Sequence, residues 1–102
     1  MANSQLRKGV LELCVLAVIN KKDRYGYEIV NNISKHISVS KGTIYPILSR
    51  LKKQGYFENY LEESAEGPVR KYYKITEKGK DFLKQAIEEY KEITSGVIKI
   101  IE

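Results

Sequence analysis

The stretch SKGTIYPILSRLKKQG, Ser40 to Gly55, gathers side chains suited to a polyanion. Lys41, Arg50, Lys52 and Lys53 are cations with no acid among them, Ser40 and Thr43 supply hydroxyls, and Tyr45 offers a flat ring with a polar tip. Ile44, Ile47, Leu48 and Leu51 recur at i, i+3, i+4 and i+7, the buried face of a helix. On a wheel turning about 100° per residue, Gly42, Pro46, Ser49 and Lys53 fall opposite that face, and Tyr45 and Arg50 flank the exposed stripe. Gly42 and Pro46 both weaken helices, but on this stripe they leave the core intact. A proline at 46 has no N–H for the carbonyl of residue 42, and its ring crowds that carbonyl. The missing side chain at 42 eases the distortion and leaves a low surface that a groove or phosphate can approach closely. The open N–H groups of the first turn also favour a phosphate. The plainer alternative is an irregular helix start with no ligand, with Lys52 as solubilising charge and Arg50 paired to an acid of its own domain.

A helix with such a face needs elements to hold it, and the flanking sequence supplies them. Leu6 to Asn20 reads as a first helix whose second half is apolar on every side, so it is buried all round. Because a small domain has one inner side to offer, part of that helix is expected to meet another subunit. Lys21 to Arg24 is a polar turn. Tyr25 to Lys35 reads as a second helix with Tyr25, Ile29 and Ile33 on one face. Ser40 is the expected N-cap of the third helix and Gly55 its stop. YFENYLEES and VRKYYKI then read as a two-stranded hairpin with its tip near Ser64 to Pro68. Arg70 and Lys71 lie on this hairpin and point to opposite faces, as do Tyr72 and Tyr73.

Thr76 is the expected N-cap of a last helix running to the C-terminus. Its residues Leu83, Ala86, Tyr90, Ile93, Val97 and Ile100 alternate steps of three and four, a coiled-coil-like seam that Ile87 widens. With Leu6, Val10 and Leu13 of the first helix, these are the expected subunit-interface residues. The fold class predicted is mainly α with a small β-hairpin: a winged helix-turn-helix over residues 1–75 and a dimerisation helix over 76–102.

The bulk composition agrees with a DNA-binding domain. The chain has 102 residues, 30% of them charged, a net charge of +5 and a pI near 9.3, which favours an anionic partner. Two basic blocks, Lys41–Lys53 and Arg70–Lys80, flank an acidic one, Glu58–Glu66. One cysteine, Cys14, excludes an internal disulfide and a cysteine zinc cluster, and it reads as a small buried hydrophobe. One histidine, His36, and no triad or metal-ligand spacing argue against an enzyme, so no catalytic residue, metal or cofactor is expected. The apolar run Val10–Ile19 is too short to span a bilayer, and a cytoplasmic protein with no membrane partner is the expectation.

The pieces LRKGVLELCVL, YGYEI, SKGTIYPILSRLKKQG, GPVRKYYKIT and EKG, in that order, resemble the PadR family of bacterial transcriptional regulators. The resemblance covers nearly the whole chain, with GT-x-YP-x-L-x-RL followed by RKYY its most specific part. It implies a winged-helix repressor that binds a palindromic operator as a homodimer built from the first and last helices. Position by position it places Tyr25, Ser40, Lys41, Gly42, Thr43, Tyr45 and Pro46 on the DNA-facing part, and Arg70 and Lys71 on the wing. The single last helix looks like the short-tailed subgroup. Family members often respond to small aromatic or toxic compounds, which makes Tyr90 a candidate for a ligand pocket, with dimer packing its alternative role. Two other readings remain at this point: a small-molecule-sensing module at the dimer interface, and a winged-helix adaptor that does not bind DNA.

Overall fold

The computed structural model of the chain describes residues 4–63 and 67–102, with side chains from residue 7 onward. The expectations for the Leu6 side chain and for the hairpin tip at residues 64–66 therefore fall outside the described residues. The elements are α1 (Ser4–Lys21), β1 (Arg24–Tyr25), α2 (Gly26–Ser34), α3 (Lys41–Lys53), β2 (Phe57–Glu62), β3 (Arg70–Ile75) and α4 (Glu77–Ile101). This is the winged helix-turn-helix expected from the sequence, with one addition. The sheet has three antiparallel strands in the order β1-β3-β2, because Arg24 and Tyr25 pair with Tyr73 and Tyr72.

That addition corrects the reading of two residues. Arg24 belongs to a strand rather than a turn, and its Nε donates to the Val18 carbonyl at 3.1 Å. Tyr25 is extended, with φ −93° and ψ 165°, and is the N-cap of α2 rather than part of its apolar face. Its backbone N–H donates to Glu28 Oε1 at 3.2 Å, so the glutamate reaches back to hold the helix start.

The core follows the apolar periodicity. Leu11, Val15, Leu16 and Ile19 of α1 meet Ile29 and Ile33 of α2 and Ile44, Ile47, Leu48 and Leu51 of α3, and Phe57, Ile75 and Leu83 close the remaining side. The apolar girdle of α1 is largely covered within the chain, since α2, α3, α4 and β3 all pack on it. Burial of the Cys14 thiol among these groups pushes its pKa up, as expected of a small hydrophobe.

The end of α3 and the start of α4 are joined by three polar contacts. Gly55 stops α3 with φ +83°, in the left-handed region. Thr76 donates its hydroxyl to the Gly55 carbonyl at 2.7 Å and accepts from the Gly79 N–H at 3.0 Å. Lys78 Nζ donates to the Gln54 carbonyl at 2.7 Å, and the Thr76 N–H donates to the Tyr56 carbonyl at 3.1 Å. Gly79 is buried because it rests on the Tyr56 backbone, where an added Cβ would lie 2.0 Å from the carbonyl oxygen. Phe82 then stacks on Tyr56 with ring centroids 4.3 Å apart.

This joint changes the assignment of the α4 seam. Leu83, expected between subunits, is buried in the chain's own core, and Ile87 packs against that core. The first turns of α4 are drawn onto the domain by the Gly79 contact, so the spacing continues while the surroundings change. Tyr90, Ile93, Val97 and Ile100 remain exposed, Ile100 by 84%. Gly79→Ala is expected to destabilise the fold by about 1–3 kcal/mol, because backbone must move to admit the methyl group. Thermal unfolding checks this, at about 4–8 °C of melting temperature per kcal/mol.

Candidate nucleic-acid interface

The third helix presents its outer face as the wheel predicts. Ser40 is extended at the N-cap, and its carbonyl accepts from the Thr43 and Ile44 N–H groups, each at 3.1 Å. Its hydroxyl does not cap the helix; it lies 3.4 Å from Thr43 Oγ1. Lys41, Gly42, Thr43, Tyr45, Pro46, Ser49 and Lys53 are all exposed, and the helix continues through Pro46. A Cβ at Gly42 would meet only Ser40 Oγ, at 3.7 Å, so no packing within the chain requires glycine there.

Tyr45 is held by a residue that the sequence reading passed over. Its ring lies across Gly26 in the first turn of α2, where a Cβ would stand 2.9 Å from the Tyr45 hydroxyl. Gly26 sits between the two tyrosines of YGY, and a methyl group there would displace the exposed end of the Tyr45 ring. The exposed stripe therefore has two edges. Tyr45 marks the edge toward α2 and the sheet, and its hydroxyl adds to the burial that raises the Tyr73 pKa. Thr43 and Arg50 mark the edge toward α1.

Arg50 departs from its expected place among free cations. Its Nη2 and Nε both donate to Glu12 Oε2 on α1, at 2.6 and 2.9 Å. The open alternative, pairing with an acid of the same domain, describes this residue. The pair fixes α3 against α1 and neutralises the charge at that edge.

The wing shows why Arg70 and Lys71 differ. Tyr25, Tyr72 and Tyr60 form a row across the three strands on the outer face of the sheet. Tyr72 meets Tyr25 edge-on at 5.6 Å and stacks on Tyr60 at 5.5 Å. The Arg70 guanidinium lies over the Tyr25 ring, 4.4 Å from its centroid, a cation–π contact that ties the wing to the start of α2. Lys71 projects from the other face and is exposed. Tyr73, on the Lys71 side, turns inward and meets Phe57 edge-on at 5.1 Å. The acidic block is also placed: Glu58 pairs in register with Lys74 and Glu62 with Arg70, so acids of β2 face bases of β3. Tyr60 donates to Asp23 Oδ2 at 2.7 Å, and that hydrogen bond to a carboxylate is the main cause of a Tyr60 pKa pushed up to about 12.

Among the described residues, no group of His, Cys, Asp or Glu side chains gathers to hold a metal ion. No helix among them is long and apolar enough to cross a membrane.

Known proteins share this fold. Residues 15–85 match the transcriptional regulator PadR-like family. The chain is similar to a crystal structure of a PadR-like transcriptional regulator from Bacillus cereus, with 40% identity and a TM-score of 0.88 over 97% of this chain and 98% of that one. It is similar to a Streptococcus transcriptional regulator at 35% identity and a TM-score of 0.89, over 98% of this chain and 100% of the other. An uncharacterized protein of Lysinibacillus sphaericus is 36% identical over 97 residues, 91% of this chain and 89% of its own length.

The Tyr60–Asp23 bond has a pH signature. The folded state holds the Tyr60 proton more tightly than the unfolded chain, whose tyrosines titrate near 10. The stabilisation is therefore complete below about pH 10 and is lost as pH rises toward about 12. The melting-temperature gap between the native chain and Tyr60→Phe should narrow across that window. A gap that stays constant with pH would show that the bond does not form in solution.

Proposed function

Because the chain belongs to the PadR-like family of transcriptional regulators, we propose that it is a homodimeric repressor that reads a palindromic operator with α3 in the major groove. The observation that carries this reading is the exposed stripe of α3, which holds Lys41, Thr43, Tyr45, Ser49 and Lys53 around the low Gly42–Pro46 surface and packs its opposite face into the core. In this reading the front of the helix, Ser40 to Tyr45, meets base edges, while Lys53 meets phosphate. Lys71 is the wing's DNA-facing cation. Tyr25 and Arg70 act together, the ring carrying the guanidinium toward the backbone at the loop end of β3.

Dimerisation is supported by the far half of α4. Between α1 and α4 runs an apolar groove of about 590 Å³ lined by Gly9, Val10, Leu13, Tyr90, Ile93 and Val97. A Cβ at Gly9 would meet nothing within 4 Å in its own chain. A glycine inside a helix costs about 1 kcal/mol relative to alanine, so close approach by a second copy is a physical reason to keep it there. Each protomer then offers one α3, and two half-sites lie about one helical turn apart.

The same groove favours a second role. With Phe82 and Tyr90 on its walls, it suits a flat aromatic effector held between subunits. Such a compound regulates DNA binding only if it binds the DNA-competent and incompetent states unequally. Aromatic compounds that bind there should both release operator DNA and shift the melting temperature. A panel that does neither removes this role.

Gly42→Leu should leave a folded dimer, by sedimentation and melting, but abolish preferential binding to the DNA upstream of the chain's own gene. Retained preference in fluorescence anisotropy would refute the close-approach role of that surface. A native chain that prefers no DNA while remaining a folded dimer would favour a protein-binding adaptor.

A further inference from the structure

A cleft of about 330 Å³ lies between the first half of α1 and α3, lined by Arg7 and Lys8 on one side and by Gly42, Thr43, Pro46 and Arg50 on the other. It shares three residues, Gly42, Thr43 and Pro46, with the surface read above as the DNA-facing one. It opens on the α1 edge of the exposed stripe, the edge opposite Tyr45 and the sheet.

The charges in and around this cleft are unequal. Arg50 is neutralised by Glu12 at 2.6 Å. Arg7 donates to the Ser38 carbonyl, just ahead of the α3 N-cap, and among the described residues it forms no ion pair. Lys8 is exposed and forms no ion pair among the described residues. A helix seated in a major groove about 12 Å wide has a phosphate backbone along both of its edges. On the sheet edge the wing provides a cation. On the α1 edge the α3 cation, Arg50, is already paired, so the charge must come from another element.

We propose that Lys8, with Arg7 holding α1 against the α2–α3 turn, binds a backbone phosphate of duplex DNA on the edge of α3 away from the sheet. This rests on the DNA-binding reading and adds a third element, α1, to the interface. Lys8 supplies a point charge to the phosphate and carries no sequence information. Arg7 is a positioning residue that fixes where the cation stands relative to Thr43.

The test uses the full chain and a fluorescein-labelled random-sequence 20-base-pair duplex, with affinity measured by anisotropy at several salt concentrations. Lys8→Gln should reduce the slope of log affinity against log salt by about 0.9 for each protomer in contact, one phosphate's worth of counterion release. Lys8→Arg should keep the native slope. Lys99→Gln, which removes the same charge in the last turn of α4, should leave it unchanged. A native chain that binds the duplex with a steep slope that Lys8→Gln does not alter overturns the role of Lys8 and leaves the DNA-binding reading standing. Equal losses for Lys8→Gln and Lys99→Gln also overturn it, since they mark a diffuse field rather than a contact. A folded native chain that does not bind the duplex overturns both.

Discussion

The meeting of Gly79 with the Tyr56 backbone is the constraint on which the arrangement depends. A residue without a side chain lets the first turn of α4 lie directly on the peptide that follows α3. Thr76 bridges the same place, bonded at once to the Gly55 carbonyl and to the N–H of Gly79. The carbonyls at the end of α3 and an N–H at the start of α4 thus satisfy each other through one threonine and one lysine. The proposed DNA-reading helix and the long last helix are in this way joined through the peptide between Gln54 and Tyr56.

The polar side chains around α3 are divided between holding and remaining free. Arg50 and Arg70 both engage partners inside the chain: a carboxylate on α1 for one, a tyrosine ring for the other. Lys41, Lys53 and Lys71 stay exposed. The division follows side-chain chemistry, since a planar guanidinium suits a fixed bidentate or stacked seat and an ammonium on a flexible stem suits a hydrated phosphate. The tyrosines follow a similar rule. Tyr73 packs inward against Phe57, while Tyr25, Tyr72 and Tyr60 tile the outer face, where ring contacts add to strand pairing.

Most of the architecture was legible in the sequence because its signals are local. The spacing of Ile44, Ile47, Leu48 and Leu51 marks the inner face of α3, Thr76 caps α4 as its type suggests, and the tyrosine-rich runs form β2 and β3. The features that escaped depend on residues far apart. Two residues are too short a run to announce β1, and Tyr25 joins the sheet only because Tyr72 is there to pair with it. The helical spacing that unites Leu83 with Tyr90 says nothing of what covers each one, and only the approach at Gly79 sends the first inward and leaves the second exposed. Nor could Arg50 be told from a free cation, since Glu12 lies 38 positions away. At the candidate site, the exposed stripe of α3 was readable from its periodicity, whereas the seat of Tyr45 on Gly26 required the packing of two helices.

The length of α4 turns the joint at Gly79 into the fulcrum of a lever. Twenty-five residues in one helix extend about 37 Å at 1.5 Å per residue. A tilt of about 5° at the fulcrum carries the far end through about 3 Å, close to the rise of one base pair. If two copies meet through those far ends, the separation of their α3 helices is an angle multiplied by an arm. A methyl-sized change beside Tyr56 would then shift the preferred spacing between half-sites without touching a residue near DNA.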